Sequence, residues 1–258
     1  MIEPFGGSGA VTLAAAARGI ARRYVLSDSL PALAGIWQAI VDDPGALADR
    51  YQGVWSGAGD DPRGWYDRVR AGYNADGDPA ALLYLLARCV KNSVRFNAEG
   101  RFNQSPDRRR LGTHPTRMRA AILGAHGLLQ GRTTVSARDY AQALADATPR
   151  DLVYLDPPYE GTSTGRDRRY AAPLDRARFI TVLGTLRARA VPFLVSFDGR
   201  TGPRTYGAEL PADLGLTRID LRAGRSTQAT LHGRAEETVE SLYLSPGLTP
   251  PRRTRRAQ

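Results

Sequence analysis

Asp151-Leu152-Val153-Tyr154-Leu155 has the composition of a buried strand, and it stops abruptly at Asp156-Pro157-Pro158-Tyr159. Two consecutive prolines stiffen the chain where it leaves a sheet and remove two N–H donors, so their carbonyl oxygens are left as acceptors. A carboxylate, a fixed carbonyl and an aromatic ring then stand at the carboxyl end of a strand, the edge at which open α/β sheets bind ligands. The trio suits an exocyclic amino group on a nucleobase. Asp156 and the Pro157 carbonyl each accept one N–H, and Tyr159 stacks on the ring. The lone pair of such an amine is delocalised into the ring, and two acceptors draw it back toward tetrahedral geometry.

The opening residues strengthen the α/β reading. Glu3-Pro4-Phe5-Gly6-Gly7-Ser8-Gly9 precedes an Ala-rich helical stretch that ends near Arg18-Gly19, and Tyr24-Val25-Leu26-Ser27 then reads as a strand closed by Asp28. Glycines between a strand and a helix let backbone N–H groups approach a ligand at a helix N-terminus. Asp28 follows Gly9 by 19 residues, the place from which an acid accepts hydrogen bonds from ribose hydroxyls. No Gly-Lys-Ser/Thr follows, which argues against a triphosphate loop. Leu33, Ile36, Trp37, Ile40 and Val41 recur at helical spacing.

Between about Asp43 and Gln130 the alternation of strand and helix ceases. The spacing predicts helices over Ala80 to Val90 and Thr116 to Leu129, with an Arg-rich loop between them. Alternation resumes with a strand at Thr133 to Ser136, a short helix at Tyr140 to Ala147, a helix from Leu174 to Ala190, a strand from Pro192 to Phe197, and a period-two strand from Glu237 to Leu244. The expected division is a sheet domain from 1–44 and 131–246, a helical insertion at 45–130, and a disordered basic tail at 247–258.

Composition narrows the function. The 258 residues carry 36 Lys plus Arg against 26 acids, a net charge of +10, and Lys91 is the only lysine. That excess points to a polyanionic partner, nucleic acid first among them. The single cysteine, Cys89, excludes an internal disulfide and a multi-thiolate metal site, and no metal is expected from the scattered His114, His126 and His232. The weakly polar run Ala10 to Ala17 is far too short to span a bilayer, and no secretory leader is visible. The expectation is a cytoplasmic protein.

Glu-Pro-Phe-Gly-Gly-Ser-Gly and Asp-Pro-Pro-Tyr, in that order around a helical insert, resemble the α-class (D12, Dam-like) DNA adenine-N6 methyltransferases. Arg95-Phe96-Asn97 through Gly100-Arg101-Phe102-Asn103 and Arg225-Ser226-Thr227-Gln228 with Glu240-Ser241-Leu242-Tyr243-Leu244 look like two further motifs of that family, so the likeness covers roughly Ile2 to Pro246. The resemblance implies a Rossmann-like fold that binds S-adenosyl-L-methionine. Pro4, Phe5, Gly7 and Gly9 would line the cofactor, Asp28 would hold its ribose, Asp139 and Tyr140 would flank its adenine, and Asp156 would border it. Asp156, Pro157, Pro158 and Tyr159 would hold a base flipped out of double-stranded DNA. The insertion would recognise the target, with Arg95, Asn97, Arg101, Asn103, Arg108, Arg109, Arg110, Arg225 and Ser226 as DNA contacts. Taken singly, each arginine reads as a phosphate contact or a solvated charge before it reads as a base reader. The family normally carries a further glycine segment and helix before the glycine loop, so the natural start is expected upstream. Cytosine-N4 methylation uses the same acceptors and is the alternative chemistry. A non-catalytic DNA-binding relic is the alternative class, and a cognate restriction endonuclease acting separately is a conceivable partner. Carbon-5 cytosine methylation is disfavoured, because Cys89 sits in an apolar run and reads as core packing.

Overall fold

The computed structural model describes residues 1–90, 94–107, 109–158, 174–202, 204–225 and 237–249. Arg108, Tyr159, Ser226 and the tail from 250 onward lie outside them, as does the side chain of Arg225. In chain order the elements are β1 (Ile2–Glu3), α1 (Ala10–Ala17), β2 (Tyr24–Ser27), α2 (Pro31–Asp42), α3 (Pro44–Ser56), α4 (Pro62–Asp76), α5 (Pro79–Arg88), α6 (Pro115–Leu129), β3 (Thr133–Ser136), α7 (Tyr140–Ala143), β4 (Val153–Leu155), α8 (Arg176–Ala188), β5 (Phe193–Thr201), β6 (Arg204–Tyr206), β7 (Thr217–Arg225) and β8 (Glu237–Leu244). They fall into two compact units, one mainly Glu3 to Ala143 and the other from Leu144 onward.

In the first unit β2 and β3 pair in parallel over their whole lengths, from Tyr24 opposite Thr133 to Ser27 opposite Ser136, and Val25 N–H donates to the Met1 carbonyl at 2.9 Å. In the second, Ile2 pairs with Val153, and β4 runs parallel to β5 with Leu155 opposite Val195. The last strands reverse direction, β8 lying antiparallel between β5 and β7. The ladders are therefore β3-β2-β1 and β1-β4-β5-β8-β7, with β6 on β5. This is a mostly parallel sheet with flanking helices, the Rossmann-like class expected from the sequence.

The strands predicted at Tyr24–Ser27, Thr133–Ser136 and Glu237–Leu244 are found with those bounds. The helix expected over Tyr140 to Ala147 is shorter, ending at Ala143. The helix expected from Leu174 starts at Arg176, because the Asp175 carboxylate caps it by accepting from Arg178 N–H at 3.0 Å. Strands β6 and β7 were not anticipated.

Five helices, α2 to α6, succeed one another with no strand between them among the described residues, and each opens on proline. Proline suits the first helical position, where no N–H partner is needed. Three of the five follow an aspartate whose carboxylate caps the helix: Asp43 accepts from Ala46, Asp61 from Gly64, and Asp78 from both Ala80 and Ala81. Replacing Asp78 by Ala orphans two amides at the start of a buried helix. A thermal melt of D78A should show a loss of about 1 kcal/mol.

The core of this unit is tyrosine-rich. Tyr24, Tyr51, Tyr66 and Tyr84 are fully buried with Leu47, Leu82, Leu85, Cys89 and Phe102. Buried hydroxyls need partners, and two of these tie down the loop after α5. Tyr66 donates to the Gln104 carbonyl at 3.1 Å, and Tyr51 to that of Thr113 at 2.6 Å. Cys89, wholly buried, is core packing as the sequence indicated. In the second unit Phe179 of α8 stacks on Phe197 of β5 at 5.4 Å between centroids. A bulge between Ser196 and Gly199 turns Asp198 into a buried polar cluster, where it accepts from the Tyr243 hydroxyl and stands 3.6 Å from Arg218 Nη2.

Candidate functional site

The glycine loop is held by four tethers, all inside the first unit. Glu3 is buried, and its Oε2 accepts from both the N–H and the hydroxyl of Thr12, locking β1 to the first turns of α1. Gly6 N–H donates to the Ser27 carbonyl at 2.7 Å. Gly7 N–H donates to Asp28 Oδ2 at 2.9 Å, while Asp28 Oδ1 accepts from Leu30 N–H at 2.8 Å. Trp37 Nε1 donates to the Gly7 carbonyl at 3.0 Å. Asp28, expected as a ribose acceptor, thus also clasps the loop, and each of its oxygens keeps one lone pair. Burial raises its pKa, against the lowering effect of the two amides. Glu3 and Trp37 are structural members of the site that sequence reading passed over. Trp37 was counted only as an apolar helix position.

Gly7 and Gly9 both have left-handed backbones, with φ of +45° and +60°. A Cβ at Gly7 would meet nothing nearer than the Phe5 carbonyl at 3.9 Å, so the loop is open there. Phe5 stacks on Tyr140, centroids 5.1 Å apart and planes inclined by 24°. The structure brings together Phe5 and Tyr140, and Gly7 and Asp28. Asp139 is exposed, and its Oδ1 accepts from Ala141 N–H at the start of α7. Open space at Gly7, an aromatic pair and a half-buried carboxylate with spare lone pairs fit an adenosine-bearing cofactor.

In the second unit Val153 and Leu155 are buried, Asp156 emerges into solvent, and Pro157 is buried behind it. Although exposed at its edge, the Asp156 carboxyl lies in a crowded setting. Burial, with the negative charge of Glu240 on β8 as the second cause, pushes its pKa up to about 6. Such carboxyls mark functional sites more often than chance.

The predicted DNA contacts divide. Arg95 to Asn103 form a tight hairpin in which Phe96 and Phe102 bridge, Asn97 N–H donates to the Arg101 carbonyl at 2.9 Å and Asn97 Oδ1 accepts from Arg101 N–H at 2.8 Å. Asn74 of α4 pins Phe102 through both its N–H and its carbonyl. Asn97 thus holds the turn, while the Arg101 and Asn103 side chains are exposed. Arg110 pairs with Asp107 at 3.4 Å, and Arg109 is exposed.

A strand–glycine loop–helix closed by an acid, together with an Asp-Pro-Pro strand end on a mostly parallel sheet, defines the α/β amino-methyltransferase class. The chain belongs to the D12 class N6 adenine-specific DNA methyltransferase family, whose model matches residues 1–200. It is also similar to a DNA N-6-adenine-methyltransferase of Escherichia phage P1, with 27% identity over 155 residues that cover 57% of this chain and 19% of the relative. The chain thus spans about a fifth of the length of that curated relative. The family's description and the relative's name both specify adenine methylation of DNA. Among the described residues no helix is long and apolar enough to cross a membrane, and no cluster of metal-ligating side chains occurs.

Proposed function

We propose that this chain transfers a methyl group from S-adenosyl-L-methionine to the N6 amino group of adenine in double-stranded DNA, the base being flipped out of the helix. The observation that carries the reading is Asp156-Pro157-Pro158 at the end of β4, within the residues that match the family. The cofactor supplies a methyl on a cationic sulfur. Phe5, with Tyr140 stacked on it, offers a face to the cofactor's adenine, and Pro4, Gly7 and Gly9 let backbone approach it. Asp28 offers its spare lone pairs to ribose hydroxyls, and Asp139 lies beside Tyr140 in sequence. Asp156 and the Pro157 carbonyl each accept an N6 hydrogen, exposing the nitrogen lone pair. On transfer of that methyl to N6, the Asp156 carboxylate would accept the proton that N6 loses and pass it to water. Tyr159, next in sequence, is assigned the stacking role. The helical stretch from α3 to α6 is the target-recognition part of the protein. Adenine is favoured over cytosine N4 by the family and by the phage relative, whose printed name specifies adenine.

Mass spectrometry of nucleosides from unmethylated duplex DNA incubated with the protein and S-adenosyl-L-methionine tests this. N6-methyladenine is the expected product, absent with D156A. N4-methylcytosine in its place would overturn the base assignment. Absence of both from a folded protein that binds the cofactor would overturn the catalytic reading.

A further inference from the structure

A cleft of about 560 Å³ opens between the start of α4 and the loop after α5, wholly within the first unit, and none of the motifs described above accounts for it. Its lining includes Pro62, Arg63, Arg88, Ser105, Pro106 and Leu111, with Asp67, Arg70 and Asp107 completing it. The charges do not cancel evenly. Asp67 is paired with Arg70 at 2.9 Å, and Asp107 with Arg110. Arg70 also donates to the Gln104 carbonyl at 3.1 Å. Among the described residues neither Arg63 nor Arg88 has a carboxylate partner.

Arg88 is preorganised. Its guanidinium lies over the Tyr84 ring, 5.3 Å from the centroid, and the aliphatic stem packs so near Gly112 that a Cβ there would stand 3.0 Å from Cγ. Its Nε is buried, with the Tyr84 hydroxyl as the neighbouring oxygen. A guanidinium held in place on an aromatic ring, with no carboxylate to neutralise it, suits a charge-assisted bond to an anionic oxygen. Part of the lining is apolar. Pro62, Pro106 and Leu111, the last 75% exposed, form the kind of surface on which a sugar ring packs.

We propose that this cleft grips a phosphodiester of the DNA backbone, with Arg88 and Arg63 as its cationic partners and the Ser105 hydroxyl as a neutral donor. The proposal rests on the methyltransferase reading for the identity of the polyanion, whereas the anion site rests on the cleft itself. It adds a backbone contact outside the Arg95–Asn103 hairpin, where the Asn97 side chain holds the turn while those of Arg101 and Asn103 are exposed.

The test is the salt dependence of binding to a fluorescent duplex, which needs no methyl donor. Each lost phosphate contact reduces the slope of log Kd against log salt by about 0.9. R63A, changed at an exposed position, should weaken binding several-fold and lose about that much slope while melting like the native protein. R88Q should do the same. R68A, on the same helix but outside the cleft, should change neither. Native slopes in both R63A and R88Q overturn the proposal, and if R88Q fails to fold, R63A alone decides. Inorganic phosphate at constant ionic strength distinguishes the other source of the same chemistry. Stabilisation by phosphate with an unaltered DNA slope would assign the site to a free anion and overturn the DNA assignment. An Arg63-dependent slope in a protein that methylates nothing would keep the cleft and remove the catalytic reading, and methylation with unaltered slopes would do the reverse.

Discussion

D156A should lower the rate of methyl transfer by about 10²–10³-fold, the cost of deleting one preorganised hydrogen-bonding group at a reacting centre, while leaving duplex affinity near native. D156N should fall between the two, because an amide oxygen still accepts but the group no longer carries the charge that takes up the N6 proton. The pH profile separates this role from a structural one. Only ionised Asp156 is an acceptor on both oxygens, so with its pKa pushed up to about 6 the rate should climb as pH rises through about 6 and level off above it. Burial and the Glu240 charge both raise this pKa. E240Q removes the second cause and leaves the first, so its acid limb should move to lower pH while remaining above the ordinary aspartate range. In D156N the limb due to this group should vanish. A limb that stays in place in E240Q, or survives in D156N, assigns the pH dependence to another group. Single-turnover rates between pH 5 and 8 are the measurement.

The sequence carried the sheet more legibly than the helical region. Strands β2, β3 and β8 are short apolar or alternating runs bounded by turn residues, and in β2 and β8 burial of one face marks them further. Strand β7 escaped because its order comes from partners instead of burial. Thr217-Arg218-Ile219-Asp220-Leu221-Arg222 does alternate, but Leu221 is 45% exposed. Arg218 is held by Glu209 and Asp220 and, across to β8, by Ser241, a contact that is invisible until β8 is in place. A local signal for α3 and α4 was present and unused. Asp43-Pro44 and Asp61-Pro62 repeat the dipeptide that opens α5, an N-cap followed by a proline at the first helical position. The catalytic-type motifs were legible because their chemistry is local in sequence. The loop's tethers were not, since Trp37 reaches Gly7 across 30 residues and Tyr140 reaches Phe5 across more than 100. The Arg95–Asn103 segment shows the converse error of emphasis. Asn97, which reads as a ligand by type, is engaged by a turn that only backbone geometry reveals.

G9A should be the most damaging small substitution in the cofactor loop. Gly9 ends the loop at φ +60° and caps α1, a conformation that costs a residue with a Cβ about 1–2 kcal/mol. The added carbon would also stand 2.8 Å from Trp37 Cη2 and closer still to Cζ2. Trp37 is only 7% exposed and its indole N–H holds the Gly7 carbonyl, so it has little room to retreat, and overpacking of this kind adds about 1–3 kcal/mol. The two costs together predict a melting temperature lower by on the order of 10 °C. G7A makes the contrast. Its φ of +45° imposes a backbone cost of the same kind, yet its Cβ would meet only the Phe5 carbonyl at 3.9 Å. Its melting temperature should drop less, and its main effect should be on binding of S-adenosyl-L-methionine, into whose space the new methyl would project. Thermal melts and calorimetric titrations of the two variants side by side check the assignment. If G7A binds the cofactor as the native protein does, the open side of Gly7 is not where the cofactor lies, and if G9A melts with the native protein, Trp37 is not the fixed wall against which the loop is built.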